Sequence, residues 1–116
     1  MEKTRILHNP RCSKSRQTLE LLQQRGIEAE VVEYLQTPPT AAELQRILTL
    51  LGLEPRALMR QDEDDYRTLQ LDRPDLSREQ LIAAMVEHPR LIQRPIVIRG
   101  NKAAIGRPPE AVHDIL

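Results

Sequence analysis

With 116 residues, two Tyr and no Phe or Trp, the chain has room for one compact core and lacks the aromatic platform on which single-stranded nucleic acids stack. An apolar fraction of 40% with formal net charge of zero excludes a disordered chain, which needs low hydrophobicity joined to high net charge. The single cysteine, Cys12, excludes an internal disulfide and a thiolate metal cage, so redox work at this sulfur must draw its partner thiol from another molecule.

The elements follow in chain order. Thr4 to His8 reads as a short strand, and Leu19, Leu21 and Leu22 after Cys12 suit a helix ended by Gly26. Glu30 to Tyr34 is a second strand, so the first 34 residues form a βαβ unit, which pairs its strands in parallel. Thr37-Pro38-Pro39 breaks the chain, and Thr40 with Glu43 forms a capping box opening a helix through about Leu51. A short helical piece is expected around Pro55 to Met59, then an acidic cluster at Asp62 to Asp65, read as a solvated helix face kept away from any bound anion, and a turn or two near Tyr66 to Leu69. Ser77 with Gln80 is a second capping box, beginning a helix that Pro89 must stop. Pro95 to Arg99 and Lys102 to Ile105 flank Gly100-Asn101 as a tight hairpin, and Pro108-Pro109 opens a last helix, Glu110 to Ile115.

The order βαβ, helical block, ββα is the plan of an α/β thioredoxin-like domain with a mixed sheet and a helical insertion at about 40–90. With no repeat, low-complexity tract or linker, 1–116 is expected to be a single domain. No long apolar run precedes Cys12, so neither a signal peptide nor a membrane span is expected, and a cytoplasmic protein is.

Charge is unevenly placed. Residues 1–26 carry six Lys or Arg against two acids and residues 90–116 five against two, which leaves the stretch between them at −7. A fold that joins the two ends would make a basic site suited to a small anion, and no chain-wide nucleic-acid footprint is seen.

The sharpest local feature is His8-Asn9-Pro10-Arg11-Cys12-Ser13-Lys14-Ser15-Arg16, between the first strand and the first helix. A lone cysteine is ordinarily a small buried hydrophobe. A thiol at a helix N-terminus, however, faces unpaired backbone N–H groups and the positive end of the helix dipole, and both favour the thiolate. Arg11, Lys14 and Arg16 lie within a few residues, and a protonated His8 would add charge, so a depressed pKa and a reactive Cys12 are expected. Cys12 and Ser15 have the spacing of a redox CxxC, but serine cannot resolve a disulfide. The pattern is therefore monothiol, with an external thiol attacking the sulfur or what it has bound.

HNPRCSKSR, LMRQ around Arg60, Arg94-Pro95-Ile96 and IGRPPE around Arg107, together with YLQTPPT and LIQRPIVI, resemble the signature stretches of the arsenate reductases that use glutathione and glutaredoxin. The similarity is collinear over essentially the whole chain. The resemblance implies that Cys12 is the nucleophile, that Arg60, Arg94 and Arg107 hold the oxyanion, and that His8 and Ser15 tune the thiol, although a structural histidine closing the first strand is an equal reading of His8. Guanidinium groups suit the anion role because their paired donors match tetrahedral oxyanions and stay charged. It also implies a cis bond at Arg94-Pro95, arsenate as substrate, glutathione and glutaredoxin as external reductants, and no bound cofactor or metal.

The sequence departs from the best-known members in two places. Ser13-Lys14 replaces a small pair such as Gly-Thr, and the chain stops at Leu116 where those members continue with a tail; both are expected of a short, divergent subgroup. Two other functions remain open: a monothiol oxidoreductase acting on another glutathione-linked substrate, and a transcription-regulator-like protein that docks on RNA polymerase. Redox-sensing regulators of that branch carry CxxC, which Ser15 denies here.

Overall fold

The computed structural model describes residues 3–116 and divides them into two compact units, one formed by residues up to Thr37 and from Arg94 to Leu116, the other by Pro38–Gln93. The first unit holds a four-stranded sheet in the order β2-β1-β3-β4, built from β1 (Thr4–His8), β2 (Ala29–Glu33), β3 (Ile96–Arg99) and β4 (Lys102–Ile105). β1 pairs in parallel with β2 and antiparallel with β3, and β3 is antiparallel to β4, so the sheet is mixed and the fold thioredoxin-like. Between β1 and β2 runs α1 (Ser13–Gln24), as the βαβ reading requires.

β2 begins one residue earlier than the sequence pattern implied. Its partner fixes the register, Thr4 opposite Ala29 through His8 opposite Glu33, and Tyr34 falls past the ladder with its side chain buried. The closing segment, Pro109–Ile115, is helical as expected but winds as a 3₁₀ helix. Gly100 takes the positive φ of 59° that turns the β3–β4 hairpin.

Period-two alternation places Thr4, Ile6 and His8 on one face of β1. Ile6, Leu22 of α1, Val97 of β3 and Val112 of the 3₁₀ helix form a core cluster with no measurable exposure, and Leu19, Ile27 and Ala104 pack around it. His8 therefore ends the strand on the face that α1 covers, above the helix's first turn.

The second unit contains α2 (Ala41–Leu51), α3 (Pro55–Leu58), α4 (Asp64–Thr68), α5 (Arg78–Glu87) and a 3₁₀ turn, Pro89–Leu91. Both expected capping boxes form, Thr40 with Glu43 and Ser77 with Gln80, each satisfying two end N–H groups. Pro89 ends α5, as its missing N–H demands. α5 packs against α2 and α3, and an isolated bridge between Met59 and Ile92 ties the segment after α3 to the unit's end. Leu44, Leu48, Leu58, Met85, Leu91 and Ile92 are fully buried. Among the described residues no helix is long and apolar enough to cross a membrane.

One glycine fixes how closely the chain after β4 approaches α1. A Cβ on Gly106 would sit 2.5 Å from Thr18 Oγ1 and 2.8 Å from Pro95 Cγ, while its N–H donates to Pro95 O at 2.9 Å. Both neighbours are buried, and Thr18 is held by its own bond to Lys14 O at 2.8 Å, so neither can retreat cheaply. Gly106→Ala is therefore expected to cost about 1–3 kcal/mol of stability, the usual range for overpacking, read as a lowered urea midpoint at unchanged m-value. An unchanged midpoint would show that the Gly106 contact is slack.

Candidate functional site

Cys12 is the N-cap residue of α1, with extended φ of −96° and ψ of 123°, and its side chain makes no capping bond. The loop that delivers it is locally determined. Asn9 Oδ1 accepts from Arg11 N–H at 3.0 Å and Asn9 O accepts from Cys12 N–H at 3.0 Å, closing a tight turn between β1 and α1. Arg16 reaches back to Pro10 O at 2.9 Å and fastens the loop to the first helical turn.

His8 and Ser15 meet as expected. His8 Nδ1 lies 2.6 Å from Ser15 Oγ, which also accepts from Asn9 N–H at 3.0 Å; His8 is buried and Ser15 has no exposed surface. The CxxS serine is thus committed to the loop's internal network. Burial holds the His8 pKa below its ordinary value, the facing carboxylate of Glu33 opposes that, and Arg16 adds to the lowering. The lowering works against the protonated form in which His8 would add charge beside the thiol.

The second strand pair brings the distant residues. Arg94 precedes β3 and Arg107 follows β4, and the peptide bonds Arg94-Pro95 and Arg107-Pro108 are both cis, the first as the resemblance implied and the second unforeseen. Arg107 Nε donates to Arg94 O at 2.8 Å, which aims its Nη2 at Cys12 Sγ, 3.7 Å away. One guanidinium edge therefore spans the carbonyl of one arginine and the sulfur.

Electrostatics at the thiol follow from this geometry. Burial pushes the Cys12 pKa up, but the N–H of Ser15, the charge of Arg94, the N–H of Lys14 and the charge of Arg107 together outweigh it and leave the pKa lowered. The source of the lowering corrects the local-charge argument. Arg11 and Lys14 are exposed side chains and the Arg16 guanidinium is directed at Pro10 O, whereas the cations that act on the sulfur are Arg94 and Arg107, over eighty residues along the chain.

Arg60 belongs to the second unit. Its N–H donates to Leu91 O at 2.7 Å, and its guanidinium Nη1 lies 3.4 Å from Glu63 Oε2 and donates to Arg90 O at 3.4 Å. The acidic cluster is therefore not uniformly a solvated face: Asp62 and Asp64 are exposed, but Glu63 turns back onto Arg60. The sequence reading missed this pair, whose partners lie in the turn between α3 and α4, where no helical spacing marks them.

Comparison with known proteins gives three consistent findings. Residues 7–115 match the model of the ArsC family. The chain is 54% identical to the protein YfgD of Escherichia coli K12, across 99% of this chain and 98% of that one, and 50% identical to an arsenate reductase of Neisseria meningitidis serogroup A, across the whole of both. A solved structure of an arsenate reductase from Vibrio cholerae superposes with a TM-score of 0.97 at 51% identity, covering 99% of this chain and 98% of the other.

The balance at Cys12 has a direct readout. Because the folded thiol pKa is lowered, the thiolate fraction and the alkylation rate should rise with pH along a curve whose midpoint lies below that of free cysteine. Arg94→Ala and Arg107→Ala should each move the midpoint up, while Arg11→Ala should leave it in place. Ultraviolet thiolate titration checks all four proteins, and an Arg11→Ala shift as large as the Arg107→Ala shift would restore the local-charge explanation.

Proposed function

The chain belongs to the ArsC family, and on that premise we propose that it is an arsenate reductase in which the Cys12 thiolate attacks the substrate. The observation that carries this reading is the guanidinium of Arg107 set 3.7 Å from the sulfur of a thiol whose pKa is lowered. A cation so placed serves two ends at once. It favours the thiolate before substrate arrives, and it supplies charge for a tetrahedral oxyanion drawn up to the sulfur.

In the proposed sequence, Cys12 Sγ attacks arsenic and forms an As–S bond while an arsenate oxygen leaves as water. Arg94 and Arg107 neutralise the anion, which would otherwise repel the thiolate. For Arg60 an oxyanion-binding role is what the family resemblance implies. Glutathione then bonds to the arsenic as a second oxygen leaves as water; the glutaredoxin thiolate takes the glutathione sulfur into a mixed disulfide and leaves the S–As electron pair on arsenic, and water opens the remaining As–S bond to release arsenite and the Cys12 thiol. External thiols suit this chain, which has one Cys and a Ser15 hydroxyl engaged with His8. His8 and Ser15 act in this scheme by holding the Cys12 loop in shape.

Two measurements test the proposal. Arsenate-dependent oxidation of NADPH, coupled through glutathione reductase, glutathione and glutaredoxin, should proceed with the wild-type protein and stop in Cys12→Ser, which keeps size and removes nucleophilicity. Turnover surviving in that variant would exclude Cys12 as the nucleophile. Protection of Cys12 from alkylation by sulfate or arsenate should weaken in Arg60→Ala, Arg94→Ala and Arg107→Ala by on the order of 1.5–3 kcal/mol, about one to two decades in affinity. Arg46→Ala and Arg73→Ala should leave protection nearly unchanged. Equal losses at all five positions would mean that the anion senses diffuse charge.

A further inference from the structure

Arg60 and Glu63 form a pair whose geometry says more than that two opposite charges meet. Glu63 is the N-cap residue of α4, with extended φ of −75° and ψ of 143°, a position from which the shorter Ser, Thr, Asp and Asn side chains bond the first helical N–H groups. It makes no such bond. Its carboxylate instead lies 3.4 Å from Arg60 Nη1, and both side chains are about four-fifths buried, at 21% and 20% exposure. The segment is held at the backbone too, since Glu63 N–H donates to Arg60 O at 3.1 Å and Arg60 N–H to Leu91 O at 2.7 Å.

The contacts fall on one corner of the guanidinium. Glu63 Oε2 and Arg90 O both address Nη1, and neither Nε nor Nη2 has a hydrogen bond or ion pair with any described residue. Nε–H and the syn N–H of Nη2 form the side-on fork that accepts two oxygens of one tetrahedral oxyanion. An arginine left to itself loses rotamer freedom when it binds a ligand. Here that loss has already been met in the folded protein, because a carboxylate and a carbonyl hold the far corner while the bidentate edge stays unspent.

We infer that Glu63 is a positioning residue for Arg60, fixing the guanidinium by Nη1 so that its Nε–Nη2 edge is presented to the oxyanion. This rests on the proposed role of Arg60 in oxyanion binding. The opposite role is physically distinct: a carboxylate that merely occupies Arg60 would be displaced by the anion, and its removal would tighten binding.

The experiment follows the Arg60 Nε–H resonance by ¹⁵N–¹H NMR while sodium arsenate is titrated into the full chain without glutathione. In the wild type this resonance should shift saturably. Glu63→Ala should weaken arsenate binding about fivefold, the scale of one partly exposed charge-assisted contact. Glu63→Gln, which keeps an acceptor for Nη1 and removes the negative charge, should bind as the wild type does or more tightly. In an Arg60→Ala background, where Kd is read from other shifting amides, adding Glu63→Ala should change Kd less than twofold. Unchanged or tighter binding in Glu63→Ala, an Arg60 Nε–H resonance that ignores arsenate, or an equal Glu63→Ala effect without Arg60 would each overturn the inference. Failure of the reductase reading looks different: arsenate shifts Arg60 Nε–H in the pattern described, yet no arsenate-dependent NADPH oxidation occurs.

Discussion

Everything in the first unit converges on the cost of holding a thiolate partly out of water. Burial opposes the charge, and the protein answers with two kinds of donor that have different structural origins. The N–H groups of Lys14 and Ser15 are available because Cys12 caps α1, so they come with the strand-to-helix turn itself. The guanidinium groups of Arg94 and Arg107 arrive only because β3 and β4 join the sheet that begins with β1. Gly106 lets the chain after β4 pass close to Thr18 of α1, and the bond from Arg107 Nε to Arg94 O turns that proximity into an aimed contact with the sulfur. The helix supplies local stabilisation and the topology supplies the long-range part.

This division explains what was legible in the sequence. Features set within a few residues could be read: the strand at Thr4–His8, both capping boxes, the stop at Pro89, the hairpin around Gly100 and the N-cap position of Cys12. Features set by a partner strand were displaced, as with β2, whose limits follow its pairing with β1 and not its own run of apolar residues. The Cys12 electrostatics were foreseen in direction and in the part played by the helix-end N–H groups; the cations were misattributed. Nearby cations in the sequence point outward, because a helix's first turn spreads its side chains around the axis, and only tertiary pairing reveals which arginines face the thiol. Arg94 and Arg107 were marked by the resemblance and by no local pattern. The Arg60–Glu63 pair was hidden by reading 62–65 as one acidic cluster, whereas α4 begins at Asp64 and leaves Glu63 on the turn before it.

The same constraints shape the chemistry that the site can perform. A lone cysteine flanked by a buried, hydrogen-bonded Ser15 has no second thiol in the chain to close a disulfide, so each oxidised state of the sulfur has to be discharged by another molecule. The groups that favour the thiolate are Arg94, Arg107 and the helix-end N–H groups, so the field that acts on the sulfur is the field that an oxyanion would meet. Attraction of the substrate and activation of the nucleophile thereby draw on one set of donors.

In the proposed reduction arsenic becomes bonded to Cys12. Intact-protein mass spectrometry of samples quenched in acid during the first turnovers with arsenate and glutathione tests it most directly. A transient mass increase carrying arsenic or glutathione, mapped to the peptide containing Cys12, is expected. Arsenite appearing at full rate while the Cys12 peptide stays unmodified throughout would contradict it.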